Sequence, residues 1–232
     1  MKPMRVLLFD VFGTVVDWRS SLIGIAEATG VPGDWPAIVD DWRRAYQPAL
    51  ERAREDSAWR DLDAVQRDTL DDCLERHATP LSGEHRETLV RGWRRLQPWP
   101  DSRDGLERLR KGYLTATLSN GHVALLADLL KFGDLRFDAV LSAQLAASYK
   151  PDPAVYLTAM DLLECGPGEA GMVAAHAGDL RAAAAVGLRP LFIRRPLEWG
   201  PDGPAEQPPD LDGLLDAESL TALADALGRG QS

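Results

Sequence analysis

Asp10 closes an apolar run, Val6-Leu7-Leu8-Phe9, and is followed by Val11-Phe12-Gly13-Thr14. A carboxylate at the carboxyl end of a buried strand, just before a glycine turn, stands where open α/β sheets place their chemistry. A charge buried there is costly without partners, so the position calls for groups that keep Asp10 ionised and suits it to act as a nucleophile. Phe12 narrows that use. A phosphate-handling version of this loop carries a second carboxylate two residues after the nucleophile, as general acid, and Phe12 can neither give nor take a proton. Three further polar clusters stand at the ends of strand-like runs: Ser119 with Asn120, Lys150, and His176 with Asp179. In a parallel sheet the loops after the strands gather at one edge, so these sites are expected to converge. Lys150 is the counter-charge expected to hold Asp10 ionised. Thr14 and Ser119 supply hydroxyl donors, and Asp179 is the candidate to orient or deprotonate a water. Taken singly, each has an ordinary structural reading: a helix-capping turn for Ser119-Asn120-Gly121, a solvated loop lysine, an N-cap for Asp179, a satisfied loop histidine. Their common placement after strands is what sets them apart.

The elements that must position these groups alternate along the chain. Residues 5–10 read as a strand too uniformly apolar to alternate, as when helices cover both sheet faces. From about Trp18 to Leu96 the charge density rises and apolar residues recur at helical spacing: Ile38, Trp42, Ala45 and Ala49; Leu62, Val65, Leu70 and Leu74; Leu89, Trp93 and Leu96. This predicts an all-helical insert, with Pro98-Trp99-Pro100 as a stiff return. Helix 102–111, strand 113–118, helix 122–131, strand 139–142, helix 153–164, strand 172–175, helix 179–186 and strand 190–193 follow. A proline-rich loop over 200–211 leads to helix 217–227, with residues 228–232 expected to fray. Asp152 as N-cap and Pro153 at the first helical position fix one helix start. The pattern predicts an α/β fold, a doubly wound parallel sheet with a helical cap inserted after the first strand. Its core spans 1–16 and 98–232, and its cap 17–97. The seven tryptophans, Trp18, Trp35, Trp42, Trp59, Trp93, Trp99 and Trp199, are expected mostly in the insert or between insert and core. Trp59, just ahead of a helix start at Asp61, is a candidate for the apolar wall around a substrate.

At 232 residues, 45% hydrophobic and 27% charged, the chain suits one sizeable core plus a smaller unit. A net charge of −10 argues against nucleic acid or an anionic membrane as partner, and requires a local positive pocket for any anionic substrate. Cys73 and Cys165 lack metal-ligand spacing and fit a reduced, cytoplasmic protein. No apolar run reaches membrane-spanning length, and the N-terminus enters strand material without a signal-peptide pattern. An apolar patch on the insert would allow a homodimer, which periodicity does not decide.

Four segments together resemble the haloacid dehalogenase superfamily over essentially the whole chain: Asp10-Val-Phe-Gly-Thr14, Leu118-Ser119-Asn120-Gly121, Tyr149-Lys150-Pro151-Asp152-Pro153 with Tyr156, and His176-Ala-Gly-Asp179-Leu-Arg-Ala-Ala. Within it, Phe12 and the last segment are most similar to the L-2-haloacid dehalogenases. The resemblance implies a Rossmannoid core and hydrolysis of short-chain L-2-haloalkanoic acids. Asp10 displaces halide to form an ester, and water at the ester's carboxyl carbon then releases a 2-hydroxy acid. Halide leaves without a proton, which is why Phe12 is tolerable. No metal or cofactor is implied: the phosphatases keep an extra acid just upstream of Asp179 for magnesium, Ala174 and Ala175 stand there instead, and a hard cation wants several oxygens. The resemblance assigns Ser119 to the substrate carboxylate and Asn120 to halide, with Tyr156 near the site. It also draws a halide arginine from a Trp-Arg pair, here Trp42-Arg43, with Arg44 as the alternative. His176 is the departure, since the better-known pattern has asparagine in a Ser-Ser-Asn sequence. Histidine offers a donor to halide or a base for water, and a donor-rich pocket would suit fluoride, so fluoroacetate joins the expected substrates. Two competing readings remain. One is a magnesium-dependent small-molecule phosphatase of the same superfamily, discouraged by Phe12 and the alanines. The other is a catalytically idle binding protein on this fold, discouraged by the complete set Asp10, Thr14, Ser119, Lys150 and Asp179.

Overall fold

Four consecutive large apolar residues can be accommodated in a strand only if both sheet faces are covered, and β1 (Val6–Phe9) has no exposed surface at any of them. The computed structural model describes residues 3–55 and 59–228. After β1 the chain passes through β2 (Val16–Asp17) into α1 (Trp18–Glu27), α2 (Trp35–Glu55), α3 (Leu62–Arg76) and α4 (Gly83–Gly92), and returns through β3 (Gln97–Pro98). Three of these helices begin where a short polar side chain accepts an otherwise unpaired backbone N–H: Asp17 from Ser20, Asp61 from Ala64, Ser82 from His85. α1 packs on α2 and α4, and α3 joins α2 to α4. The helical unit therefore closes on itself.

The remaining elements are α5 (Ser102–Leu109), β4 (Leu114–Ser119), α6 (Val123–Gly133), β5 (Ala139–Ser142), α7 (Pro153–Leu162), β6 (Ala170–Ala174), α8 (Ala177–Ala185), β7 (Arg189–Ile193), β8 (Leu215–Ala217) and α9 (Leu220–Gly228). The six long-range strands form one parallel sheet in the order β5-β4-β1-β6-β7-β8. The chain builds outward from β1 to β4 and β5, then crosses back to lay down β6, β7 and β8 on the other side. The reversal falls beside β1, so its carboxyl end opens on the crevice where such sheets bind ligands.

The expected strand and helix alternation is present, with local differences. β2 and β3 pair antiparallel, Val16 opposite Pro98 and Asp17 opposite Gln97, so the return segment is hydrogen-bonded as well as stiff. Two residues per strand are too few to show a period. The same holds for β8, where residue 217 is strand and not the first residue of a helix. α8 starts at Ala177 because His176 takes the N-cap position, which puts Asp179 in the first turn. Residues 229–232, expected to fray, lie outside the described residues. No exposed large apolar side chain among the described residues belongs to 17–97; Leu114, Phe132, Leu145, Leu157, Leu162 and Leu197 all lie elsewhere. No helix of the described residues is long and apolar enough to cross a membrane.

Aromatic rings bind the helices to the sheet's edge. Trp93 lies edge-on to Phe12 at 5.4 Å and to Trp42 at 5.5 Å, and Trp18 lies edge-on to Trp199 at 5.0 Å. Trp99 donates its indole N–H to the carbonyl of Gly13 at 2.9 Å. On the opposite flank, α5 packs on α9 at Gly105, where a Cβ would stand 2.5 Å from the Leu220 Cβ and 2.8 Å from its carbonyl carbon. Gly105→Ala is expected to lower stability by about 1–3 kcal/mol through this backbone clash, read as a reduced urea midpoint with an unchanged slope.

Candidate active site

Asp10 extends the β1 ladder through its own N–H, which donates to the Val173 carbonyl at 3.0 Å. The chain then turns at Gly13, whose φ of +85° lies in the left-handed region. A Cβ there would fall 2.2 Å from Glu198 Oε1, so both conformation and space require glycine. The turn brings Thr14 back to Asp10, its hydroxyl donating to Oδ2 at 2.8 Å while accepting from the Ala175 N–H at 2.9 Å.

Lys150 reaches the same carboxylate from the loop between β5 and α7. Its backbone is clasped by the Asn120 amide, which accepts from the Lys150 N–H at 2.7 Å and donates to its carbonyl at 3.4 Å. The ammonium then donates to Asp10 Oδ1 at 3.1 Å and to Asp179 Oδ2 at 2.5 Å. The Tyr156 hydroxyl donates to the other oxygen of Asp179 at 2.6 Å. Burial pushes the Asp10 carboxyl up, but Lys150, His176 and Thr14 together outweigh it and hold the group far below the usual carboxylate range. Asp179 goes the other way: burial and the charge of Asp10 raise it despite Lys150 and Tyr156. Burial lowers the Lys150 ammonium, and its two carboxylates more than restore it. Two neighbouring carboxylates are thus pushed in opposite directions, which suits them to different chemical duties.

His176 stands between two carboxylates. Its Nδ1 lies 3.0 Å from Asp10 Oδ2, and its Nε2 lies 3.0 and 3.2 Å from the two oxygens of Glu198. A carboxylate at each ring nitrogen favours a proton on both. Burial opposes the charge, but Glu198 and Asp10 prevail and the imidazolium is held up to about 10. In this arrangement its two donors are directed at Asp10 and Glu198.

Glu198 was not anticipated. It is buried, holds the indole N–H of Trp18 at 2.9 Å, and lies below its usual range because His176 and Arg43 overcome the effect of burial. It sits in the loop after β7, a fifth loop at the same sheet edge, so the rule that selected the other four applied to it as well. Arg195 of that loop donates to the Thr14 carbonyl at 2.9 Å and grips Asp101 at 2.7 and 3.0 Å, fixing the turn from behind.

Asp10, Lys150, His176 and Asp179 line a cavity of about 360 Å³ that also takes in Phe12, Arg43, Ser119, Asn120 and Tyr156, with Thr14 and Glu198 behind Asp10 and His176. Arg43 lies over the rings of Tyr46 at 4.7 Å and Trp18 at 5.5 Å. Arg44 turns away to Asp41 at 2.8 Å and to Trp199, so of the two arginines Arg43 faces the cavity. Tyr46 and Gln47, also unanticipated, join the lining from α2. Two buried donors there have no partner, the Ser119 hydroxyl and Arg43 Nε. Such groups are costly unless a ligand satisfies them. Trp59 does not line the cavity. It stacks on Tyr149 at 4.5 Å, beneath the entry to α3, and acts in packing. The side-chain oxygens do not suit a hard divalent cation: Lys150 already bridges Asp10 and Asp179, and the side chains of residues 174 and 175 are methyl groups. Among the described residues no group of three or more His, Cys, Asp or Glu is arranged to hold a metal.

The family model for a haloacid dehalogenase-like hydrolase matches residues 4–187. An (S)-2-haloacid dehalogenase of Burkholderia cepacia is 28% identical over 195 residues, 83% of this chain and 84% of that protein. The crystal structure of an L-2-haloacid dehalogenase superposes with a TM-score of 0.91 at 40% identity, covering 97% of this chain and 99% of the other. That of a defluorinating L-2-haloacid dehalogenase gives 0.91 at 35% identity, covering 97% and 95%.

The imidazolium has a consequence for stability. Its pKa in the fold, about 10, lies above the ordinary 6.5, so its stabilisation is complete below 6.5 and is lost as pH rises through about 10. Melting temperatures recorded from about pH 6 to about pH 10 should fall further for the wild type than for His176→Asn, which lacks the titrating group.

Proposed function

The chain belongs to the haloacid dehalogenase-like hydrolases, and from that membership we propose that it hydrolyses the carbon–halogen bond of short L-2-haloalkanoic acids through an ester on Asp10. The observation that carries the reading is an ionised Asp10 facing the cavity beside Lys150, with Phe12 where a proton donor would have to be. Halide departs bare. An alkoxide expelled from a phosphoester would need the proton that Phe12 lacks.

In the first step an Asp10 oxygen attacks C2 in line, opposite the halogen, and inverts that centre. The unpartnered Ser119 hydroxyl receives the substrate carboxylate and Arg43 receives the departing halide, with Phe12 and Tyr46 as apolar walls. In the second step water adds to the Asp10 carboxyl carbon while Asp179 takes its proton. The bond between that carbon and the ester oxygen then breaks, and the oxygen leaves as the hydroxyl of the product. Lys150, 3.1 Å from Oδ1 and 2.5 Å from Asp179, is placed to give it a proton and recover one from Asp179. We assign 17–97 as a cap over a core of 1–16 and 98–232, since α2 delivers Arg43 and Tyr46 to a cavity otherwise built on the sheet. Unpaired Cys73 and Cys165 support a cytoplasmic setting.

One turnover at excess enzyme in heavy-oxygen water should place the label in the Asp10 peptide and leave the hydroxyl of the released acid unlabelled, as read by mass spectrometry. Asp10→Asn should release no halide while keeping the wild-type circular dichroism spectrum, its melting temperature shifted by the loss of the counter-charge to Lys150 and His176. Label found first in the product would refute the ester. The proposal extends to fluoroacetate on the likeness to the defluorinating enzyme; a fluoride electrode reading no release beside normal chloride release from chloroacetate would remove that extension.

A further inference from the structure

The two oxygens of Asp10 are not equivalent. Oδ2 accepts from Thr14 at 2.8 Å and from His176 at 3.0 Å, which fills its two in-plane lone pairs. The Thr14 hydroxyl itself receives the Ala175 N–H, so its single proton is committed to Oδ2. Oδ1 accepts from Lys150 and keeps a lone pair for attack. If the ester forms on Oδ1, then Oδ2 becomes its carbonyl oxygen, already held by two donors.

We propose that the Nδ1–H of His176 and the hydroxyl of Thr14 form the oxyanion hole for hydrolysis of the Asp10 ester, and that Glu198 is the positioning residue that keeps His176 a donor there. This rests on the proposed dehalogenase reading and deepens it. When water adds to the carboxyl carbon, the carbonyl π pair moves onto Oδ2. When the intermediate collapses, that pair re-forms the carbonyl, the bond to Oδ1 breaks, and Oδ1 leaves carrying the proton from Lys150. Both hydrogen bonds exist before the reaction, so neither must be assembled as charge develops.

Glu198 suits this task by placement. Both its oxygens face His176 Nε2, Trp18 fixes one of them, and only 3% of the residue is exposed. The charged groups acting on His176 are Asp10 and Glu198, with Lys150 behind the first and Arg43 beside the second. A neutral imidazole is able to give one proton only, either to Asp10 or to Glu198. Glu198 thus makes the doubly protonated ring the stable one. Ester formation gains nothing from this, because a cation on Oδ2 draws charge away from the nucleophile. The two half-reactions therefore respond differently to the loss of Glu198.

The test is rapid-quench turnover of L-2-chloropropionate by Glu198→Gln and, separately, His176→Asn, with folding checked by melting. Glu198→Gln should release about one chloride per active site in a burst and then turn over about 10- to 100-fold more slowly than wild type. Intact-protein mass should show the ester accumulating. The alkaline limb of the slow step should move from about 10 in the wild type toward the ordinary imidazole range. His176→Asn should show the burst as well, so the idea stays testable if loss of the Trp18 contact unfolds the first variant. Chloride release without a burst in both variants, no ester by mass and an unmoved pH limb would overturn the proposal. Wild-type enzyme inert toward every 2-haloacid would overturn the dehalogenase reading itself, and is told apart because it precedes any comparison of variants.

Discussion

A single ammonium, that of Lys150, lies between two buried carboxylates, and the rest of the molecule is arranged to keep it there. With Lys150 gone, Asp10 and Asp179 would face each other as like charges with little of either side chain exposed. Breaking such a pair typically costs about 3–5 kcal/mol. The position of Lys150 is accordingly fixed through its backbone, by the Asn120 amide on the neighbouring strand's loop. A flexible side chain whose root is clasped in this way can act as a fixed charge.

The charges of the site balance locally. Lys150, His176 and Arg43 stand against Asp10, Asp179 and Glu198, within a chain whose net charge is −10. The expected positive pocket is replaced by a balanced one, with three cations against three carboxylates. Three carboxylates are confined there without mutual expulsion because each has a cation at hydrogen-bonding distance or, for Glu198 and Arg43, within electrostatic reach. The pairing with Lys150 and His176 drives Asp10 down, whereas burial and the charge of Asp10 push Asp179 up despite Lys150 and Tyr156. Acid–base asymmetry between two chemically identical groups thus comes from the second cation that Asp10 has and Asp179 lacks.

Most of this was legible in the sequence because a parallel sheet turns sequence position into spatial position. A polar residue in the loop after a strand-like run falls at one edge of the sheet, and Asp10, Ser119, Lys150 and Asp179 are all legible by that rule. Glu198 lies in such a loop too, between β7 and the proline-rich stretch 200–211, five residues beyond the last apolar residue of the strand, where no motif singles it out. Trp59 shows the reverse error: a tryptophan ahead of a helix start was credited with facing the cavity when it packs on Tyr149. The role of His176 was out of reach, since it depends on a carboxylate 22 residues later and on one 166 residues earlier. Side-chain partners brought together by tertiary structure leave no periodic trace, and two-residue strands such as β2 and β3 leave none either.

Phe12 joins the chemistry to the architecture. Its ring meets Trp93 edge-on, Trp93 meets Trp42, and Trp42 is anchored on α3 through the Gln66 carbonyl and the Thr69 hydroxyl. The neighbour of Trp42 in sequence, Arg43, turns back into the cavity. An acid at position 12 would need solvent or a hydrogen-bonding partner and could not end an aromatic column. A leaving group that needs no proton frees this position from acid–base duty. The same position then serves as the apolar contact through which the helical unit, and with it Arg43, is held over the nucleophile.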